Sequence, residues 1–357
     1  MSRILSRTLR TVLTGVVAAA AALGSVTVAH AQGPGYVALG DSYSSGTGTR
    51  TYYDDGTDCQ RSPKSYAALL ASRYALDLTL AACSGATTAD VTNQQLSSLR
   101  STTRHVTITV GGNDVGFAPV LTECAKPGWW GDCEGAIEDA LAVVNQTLPG
   151  RLSSLNSKIK ARSPQATVVV SGYPHIFNGD DCHVATFFSP GEQSRLNAAT
   201  DRLNDVVRQR AVAAGFRYAS PVAAFDNHAW CDDNEWINGL SWPISESYHP
   251  NVAGHVGYSN VFGPRMGVSS TLLTKQARTT SLATTPSLPP ATGRSESVTA
   301  PDLSSAEAAR AASRAGITDD ELAQLRAAQR RGAGNAELES LSARTHAKAQ
   351  ARNRTAR

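Results

Sequence analysis

The sequence has little that could hold it in a membrane. Its one long apolar stretch, from Val12 to about Val28, lies in residues 1–31 behind three arginines and ends in the small-residue pattern Ala29-His30-Ala31. This arrangement is typical of a secretory signal peptide. Since no later stretch approaches the ~20 apolar residues that a spanning helix requires, we expect a secreted, extracellular protein with no transmembrane anchor after signal removal.

Patterns of several other function classes are also missing. No basic cluster marks the body of the chain, so we expect no nucleic-acid partner. No pair of cysteines has the short spacing of zinc ligands. Two acidic groups could suggest calcium: Asp54, Asp55 and Asp58, and Asp232, Asp233 and Glu235. Neither has the alternating ligand spacing of an EF-hand, so we expect no metal site and no cofactor.

The cysteines are even in number, and all lie outside the signal peptide and the tail. They are Cys59, Cys83, Cys124, Cys133, Cys182 and Cys231. In an exported protein such a set predicts a disulfide framework, although the sequence alone permits many connectivities. Pairing of neighbours in chain order is the simplest of them.

Composition divides the chain into four segments. These are the signal peptide (1–31), a globular domain (32–268), a Ser/Thr/Pro-rich linker (269–303) and a basic Ala/Arg-rich tail (304–357). The tail carries ten Lys or Arg against six Asp or Glu. It has leucines at helical spacing but too little apolar surface for a core. We expect it to be weakly helical or disordered, with a possible role at the cell envelope or in binding a partner.

The globular domain alternates short β-branched runs with amphipathic stretches. Strands are predicted at 36–39, 77–81, 105–110, 166–170 and 216–219, and helices at 64–74, 136–161 (with a break at Pro149-Gly150), 190–214 and from Val252 onward. Strands separated by helices of this length indicate right-handed crossovers and a parallel sheet. The irregular stretches 118–135, 178–188 and 227–247 are expected to wall a substrate cleft.

A serine follows the first predicted strand after a glycine turn. Ligands of α/β proteins gather at the carboxyl ends of the strands, which makes Ser42 a candidate nucleophile if a base and an oxyanion site reach it. His249 is the candidate base, because Pro250 keeps the residue before it out of helical geometry and so on a loop end. Gly85 and Asn113 follow the second and third strands and can donate N–H groups.

Together these turns resemble the sequence blocks of the SGNH hydrolases, also called GDSL-type esterases and lipases. The matching residues are Gly40-Asp41-Ser42, Gly85, Gly111-Gly112-Asn113-Asp114 and His249-Pro250. The six cysteines and the segment 42–46 are similar to the secreted actinobacterial lipase and esterase branch. The Gly-x-Ser-x-Gly elbow of the α/β-hydrolases is absent around Ser42, which disfavours that fold.

The resemblance implies a fold, a reaction and a set of roles. The fold would be a three-layer α/β/α sandwich with a five-stranded parallel, flavodoxin-like sheet. Ser42 would attack a carboxylic ester with His249 as base, and the oxyanion would be held by the N–H groups of Ser42 and Gly85 and the amide of Asn113. The implied disulfides are Cys59–Cys83, Cys124–Cys133 and Cys182–Cys231.

The chain departs from the family at the group that orients the histidine. The family usually has an aspartate three residues before the histidine, and this position is Glu246 here. Either the Glu246 carboxylate or a main-chain carbonyl of Glu246 or Ser247 could take this role.

The predicted function is therefore a secreted, monomeric serine hydrolase that cleaves acyl esters or lipids such as acylglycerols, similar to a triacylglycerol lipase. Alternatives with the same site are a phospholipase A1 and a carbohydrate deacetylase. The non-enzymatic alternative is a secreted binding module with an inert site. The aromatic residues near His249 could line an acyl pocket or cap the core: Trp230, Trp236, Trp242 and Tyr248.

Overall fold

Five parallel strands form the central sheet of the computed structural model, which describes residues 35–183, 185–268, 286–293, 297–331 and 335–355. The strands are β1 (Gly35–Gly40), β2 (Asp77–Leu80), β3 (His105–Thr109), β4 (Thr167–Ser171) and β5 (Arg217–Ala219). Their spatial order is β2-β1-β3-β4-β5. All pairs are parallel, with Tyr36 opposite Leu78 and His105 in the register. The predicted α/β fold with a five-stranded, flavodoxin-like sheet is confirmed.

The helices of the domain pack on the two faces of this sheet. They are α1 (Ser42–Ser45), α2 (Tyr66–Tyr74), α3 (Thr88–Asp90), α4 (Phe117–Cys124), α5 (Cys133–Gln146), α6 (Leu148–Arg162), α7 (Pro190–Ala213) and α8 (Val252–Met266). Helices α2 and α8 pack together on one face, and α5, α6 and α7 pack with one another on the other. Among the described residues, no helix is long and apolar enough to cross a bilayer.

Local sequence accounts for several of the helix boundaries. Ser189 and Glu192 form the capping box predicted for α7, in which each side chain satisfies a backbone N–H that the first turn leaves unpaired. The predicted break between two helices falls at Thr147, and Pro149 lies in the first turn of α6, where a missing N–H costs nothing. The stretch 118–135, predicted to be irregular, contains most of α4 and the start of α5.

Three disulfides join the loops around the sheet. They are Cys59–Cys83, Cys124–Cys133 and Cys182–Cys231, the pairing that the family resemblance implied. The second links the end of α4 to the start of α5, which explains how a short helix is held in a stretch with weak helical patterning.

The C-terminal segment, for which a weakly helical or disordered tail was expected, is helical in the structure. It forms α9 (Ala306–Ala315), α10 (Asp319–Arg330) and α11 (Asn335–Thr355). A second, smaller core includes the buried leucines Leu303, Leu322, Leu325 and Leu338 of this segment. The tail alone lacks apolar surface, but Trp129 and Phe187 of the globular domain complete this core. The predicted signal peptide and residues 269–285 of the predicted linker lie outside the described residues.

A buried glutamine holds the end of β1 just before the turn that carries Ser42. The Gly40 N–H donates to Gln95 Oε1 at 2.7 Å, and Gln95 Nε2 donates to the Gly40 carbonyl at 2.8 Å. Gln95 ends a π-helical turn (Val91–Gln95), a local widening that is often found near functional sites. Its side chain thereby takes the place of β2, whose pairing with β1 ends at Ala38 and Leu80.

We therefore expect Gln95→Leu to lower the free energy of unfolding by about 1–3 kcal/mol, because the Gly40 N–H loses its buried acceptor. Denaturant unfolding measures the change. The matched control is Gln165→Leu at an exposed site, where Gln165 only accepts from Arg104 and the expected change stays within about 0.5 kcal/mol. Equal stabilities of the two variants would contradict the assignment.

Candidate active site

The turn that carries Ser42 is fixed by a close approach between two strand ends. Gly40 has φ +119°, and a Cβ atom there would lie 2.1 Å from the Thr109 carbonyl oxygen. Only glycine can occupy this position. Asp41 then donates its N–H to the Thr109 carbonyl at 3.0 Å and caps α1 by accepting from the Tyr43 N–H at 3.1 Å. Ser42 is therefore the first residue of a one-turn helix at the carboxyl end of β1.

The Asp41 carboxylate is buried directly beneath the serine. It also accepts hydrogen bonds from the hydroxyl groups of Tyr173 and Thr109. Burial raises the pKa of Asp41 to about 6, against the opposing effect of these hydrogen bonds. No role is predicted for Asp41 from the sequence, although aspartate is a preferred residue at a helix N-cap and Asp41 directly precedes Ser42.

His249 faces Ser42 as the sequence analysis predicted. Its Nε2 lies 2.8 Å from Ser42 Oγ, and its Nδ1 lies 2.9 Å from the Ser247 carbonyl oxygen. Because a carbonyl can only accept, the proton of the neutral ring is on Nδ1, and Nε2 is the acceptor that faces the serine. Burial lowers the pKa of His249 to about 4. At neutral pH the ring is thus an uncharged base in contact with the serine hydroxyl.

Backbone pairing and one tyrosine hold His249 in place. Asn238 donates its N–H to the His249 carbonyl at 2.9 Å and accepts from the Tyr248 N–H at 3.0 Å. The Tyr43 hydroxyl, one residue after the serine, donates to the Tyr248 carbonyl at 2.8 Å. Tyr248 itself has φ +60°, a conformation that costs a bulky residue energy and is often found at functional sites.

Glu246 does not contact Nδ1 of His249, the ring nitrogen on which an orienting group was expected. Its carboxylate is buried, accepts from the Tyr52 hydroxyl at 2.6 Å, and lies 3.5 Å from Arg50 Nε. The contact on Nδ1 is made by the Ser247 carbonyl instead. Of the alternatives that the sequence left open, the observed geometry favours the main-chain carbonyl.

Two further predicted residues lie beside Ser42. Asn113 follows β3, and its Nδ2 donates one N–H to the Ala86 carbonyl at 3.0 Å. Since a primary amide carries two N–H groups, the second is available to a bound substrate. Gly85, in the turn after β2, lines the same pocket as Ser42, Asn113 and His249. The ends of β1, β2 and β3 therefore bring together the residues that the sequence analysis grouped.

Two different cavities meet at Ser42. The first begins at Ser42, Gly112 and Tyr173 and continues into an apolar cavity between α4, α5 and α7, with which it shares the lining residues Phe117, Ile176, Thr200 and Leu203. The second lies on the His249 side and is lined by Gly85, Ile244, Ser245 and Ser247, and also by Ser297 and Val298 from beyond the domain. We refer to these as the apolar channel and the histidine-side pocket. No sequence pattern had indicated Ser297 and Val298.

The aromatic residues that lie near His249 in the sequence differ in burial and in packing. Trp230 and Tyr248 are buried and pack edge-on against each other in the core. Trp236 stacks on His228, and Trp242 is 84% exposed. Of the two roles considered, the positions of Trp230 and Tyr248 favour the core. In the part of the chain that the structure describes, no three His, Cys, Asp or Glu side chains are grouped as metal ligands.

Comparisons with known proteins agree with this geometry. The GDSL-like lipase/acylhydrolase family matches residues 38–256. The chain belongs to this family. It is 42% identical over 251 residues to Lipase 1 of Streptomyces coelicolor, covering 68% of this chain and 91% of that lipase.

Two solved structures resemble this GDSL-family hydrolase closely. One is a phospholipase A1 from Streptomyces albidoflavus, with 42% identity, a TM-score of 0.62, and coverage of 65% of this chain and 99% of that one. The other is an extracellular lipase from Streptomyces rimosus, with 40% identity, a TM-score of 0.61, and coverage of 64% and 98%. The expected family and the expected carboxylic ester hydrolysis are thereby confirmed.

The contact between Nδ1 and a carbonyl predicts that the Glu246 carboxylate is dispensable for the reaction. Glu246→Gln keeps an oxygen for the Tyr52 hydroxyl, so kcat should stay near the wild-type value. By comparison, removing a carboxylate that orients a catalytic histidine costs ~10⁴ in kcat. Steady-state kinetics on a soluble ester, with a melting temperature as the check on folding, measure the difference. A loss of that size in a folded variant would assign the role to Glu246.

The lowered pKa of His249 predicts the acid limb of activity. Only the neutral ring can accept the serine proton, so kcat/KM should rise with pH through an apparent pKa of about 4 and then level off. A second inflection near pH 6 would belong to Asp41 and should disappear in Asp41→Asn, whereas the limb of His249 should remain. If kcat/KM of Asp41→Asn instead rises with pH through the ordinary histidine pKa of ~6.5, the prediction that His249 is buried and uncharged at neutral pH is wrong.

Proposed function

We propose that this protein is a secreted lipase that cleaves long-chain acyl esters through an acyl-enzyme on Ser42. The observation that carries the proposal is the 2.8 Å hydrogen bond between Ser42 Oγ and His249 Nε2, located where an apolar channel begins. The naming of one relative as an extracellular lipase supports export.

The proposed reaction uses each group in turn. Ser42 Oγ attacks the ester carbonyl carbon as its proton passes to His249 Nε2. The tetrahedral oxyanion accepts hydrogen bonds from the N–H groups of Ser42 and Gly85 and from the Asn113 amide, and one such donor is typically worth about 2.7–4 kcal/mol in the transition state. The Ser247 carbonyl supports the imidazolium through Nδ1. His249 then protonates the departing alcohol, and a water molecule, activated by the same ring, releases the acid.

The surroundings of Ser42 support a long acyl chain. The apolar channel leads from the serine between α4, α5 and α7 and is lined by aliphatic side chains such as Val120, Leu141 and Leu196 and by the aromatic ring of Phe177. Such walls favour a hydrocarbon chain over an acetyl group on a sugar, because transfer of each CH₂ from water is worth about 0.8 kcal/mol. Acylglycerols are the substrates that fit best.

A phospholipase A1 activity is the second candidate. It is favoured by the similarity, at 42% identity, to a chain described as a phospholipase A1. Both activities use the same nucleophile and acyl channel, and they differ only in the alcohol that leaves.

Covalent labelling tests the proposed machinery. A fluorophosphonate probe should label the wild-type protein, and Ser42→Ala should abolish both labelling and ester hydrolysis. Ser45→Ala is the matched control, since the Ser45 hydroxyl in the same helix contacts the Ser42 carbonyl and Thr47 rather than a histidine, and should still be labelled. An unlabelled wild-type protein would overturn the proposal. Relative kcat/KM on trioctanoylglycerol and dioctanoyl-phosphatidylcholine then separates lipase from phospholipase A1.

A further inference from the structure

The segment after the globular domain first lies along the edge of the sheet. Ser287 donates its N–H to the Leu78 carbonyl at 3.0 Å and accepts from the Leu80 N–H at 2.9 Å, which extends the sheet beyond β2. Thr292 then donates its N–H to Gln94 Oε1 at 2.9 Å. At Gly293 a Cβ atom would lie 2.8 Å from the Asp58 carbonyl oxygen, so the chain passes directly over the loop that carries the Cys59–Cys83 disulfide. These contacts direct the segment toward the end of β2, where Gly85 lies.

The same segment next enters the active site. Ser297 and Val298 line the histidine-side pocket together with Ser42, Gly85 and His249. Val298 is only 4% exposed and belongs to the main hydrophobic core. The following residue, Thr299, donates its N–H to Thr122 Oγ1 on α4 at 2.9 Å. Val298 is thus part of a wall and not a passing surface contact.

Beyond the pocket the segment is held again by the second core. Leu303 is fully buried there beside Trp129, whose Nε1 donates to Ser342 Oγ at 3.0 Å. Trp130 Nε1 donates to Glu307 Oε1 at 3.3 Å. Since contacts on both sides fix the position of Val298, the wall it forms is a built feature of the active site. We call residues 286–293 and 297–303 the C-terminal strap.

The position of His249 identifies which half of the ester meets the strap. The general acid must lie within hydrogen-bond reach of the departing oxygen. His249 lines the pocket that contains Val298, whereas the apolar channel is lined near Ser42 by Asp41, Tyr43 and Tyr173 and not by His249. The alcohol therefore occupies the histidine-side pocket, and the acyl chain occupies the channel.

We propose that the C-terminal strap forms one wall of the alcohol site and that Val298 sets how strongly the enzyme prefers a small alcohol over one that is bulky next to the departing oxygen. This inference rests on the proposed function, because it needs the ester to be cleaved at Ser42. The family match ends at residue 256, so the wall is supplied by a part of the chain outside the region shared with the family. Among esters that share an acyl chain, added bulk next to the departing oxygen slows the reaction through contact with Val298 but does not abolish it, so that acylglycerols are still cleaved.

Two substitutions of opposite size test the proposal in the full-length chain. The substrates are ethyl octanoate and cyclohexylmethyl octanoate, which share an acyl chain and both release a primary alcohol. Val298→Ala should raise kcat/KM for the bulky ester relative to the ethyl ester by about tenfold, and Val298→Phe should lower this ratio by a similar factor, as expected for changes of a few methylene groups in a pocket. Melting temperatures show which variants are folded.

A matched substitution on the acyl side is the control. Val120 lines the apolar channel, so Val120→Ala should change the preference between butanoate and octanoate esters and leave the ratio between the two alcohols unchanged. A folded Val298→Ala or Val298→Phe protein with the wild-type alcohol ratio would overturn the proposal. Failure of the proposed function is distinguishable, because Ser42→Ala would then keep ester hydrolysis, whatever the alcohol ratio.

Discussion

A single buried carboxylate connects the sheet to the chemistry of this protein. Asp41 accepts from the side chain of Thr109 at the end of β3, from Tyr173 just after β4, and from the first turn of α1. Removing a charge from water is costly, and only such a set of donors makes it tolerable. The direction of the Ser42 hydroxyl depends on this arrangement, since Asp41 sets where α1 begins.

A different part of the chain positions the base. His249 lies on a loop that pairs with Asn238 on one side and is held through Tyr43 on the other. Tyr43 is adjacent to Ser42, so the turn that positions the nucleophile also holds the loop of the base. A backbone carbonyl on Nδ1 has the advantage of a neutral partner. It fixes the tautomer of the ring without placing a second buried charge next to Asp41.

The C-terminal region has two physical roles that its composition conceals. Its helices are rich in alanine and charged residues and bury little apolar area alone, yet they share a core with Trp129 and Phe187 of the globular domain. Its strap crosses from the edge strand to α4 and passes the active site on the way. A Ser/Thr/Pro-rich composition is compatible with an extended chain, and an extended chain is what can follow a sheet edge and a pocket rim.

The sequence by itself determined the five strands, the long helices between them, the turn at Ser42, and the candidates His249, Gly85 and Asn113. Each of these has a local signal: β-branched runs, glycine at a strand end, proline after a histidine. It also allowed the family to be named, and with it the disulfide pairing. The three candidate oxyanion donors, Ser42, Gly85 and Asn113, could be grouped because parallel strands end at the same edge of the sheet.

Tertiary structure alone decided the rest, because those features depend on contacts between distant residues. The spacing of residues along the sequence does not show whether His249 Nδ1 contacts Glu246 or Ser247. The two are neighbours on one loop, and only the path of that loop in the folded protein decides which of them contacts the ring. Gln95 acts on Gly40 across 55 positions of sequence, and its type gives no sign of this. Val298 lines the same pocket as Ser42 although the two are far apart in the sequence. A polar, proline-rich stretch has no hydrophobic periodicity from which its contacts could be predicted. Only the folded chain shows that this stretch lines the active site.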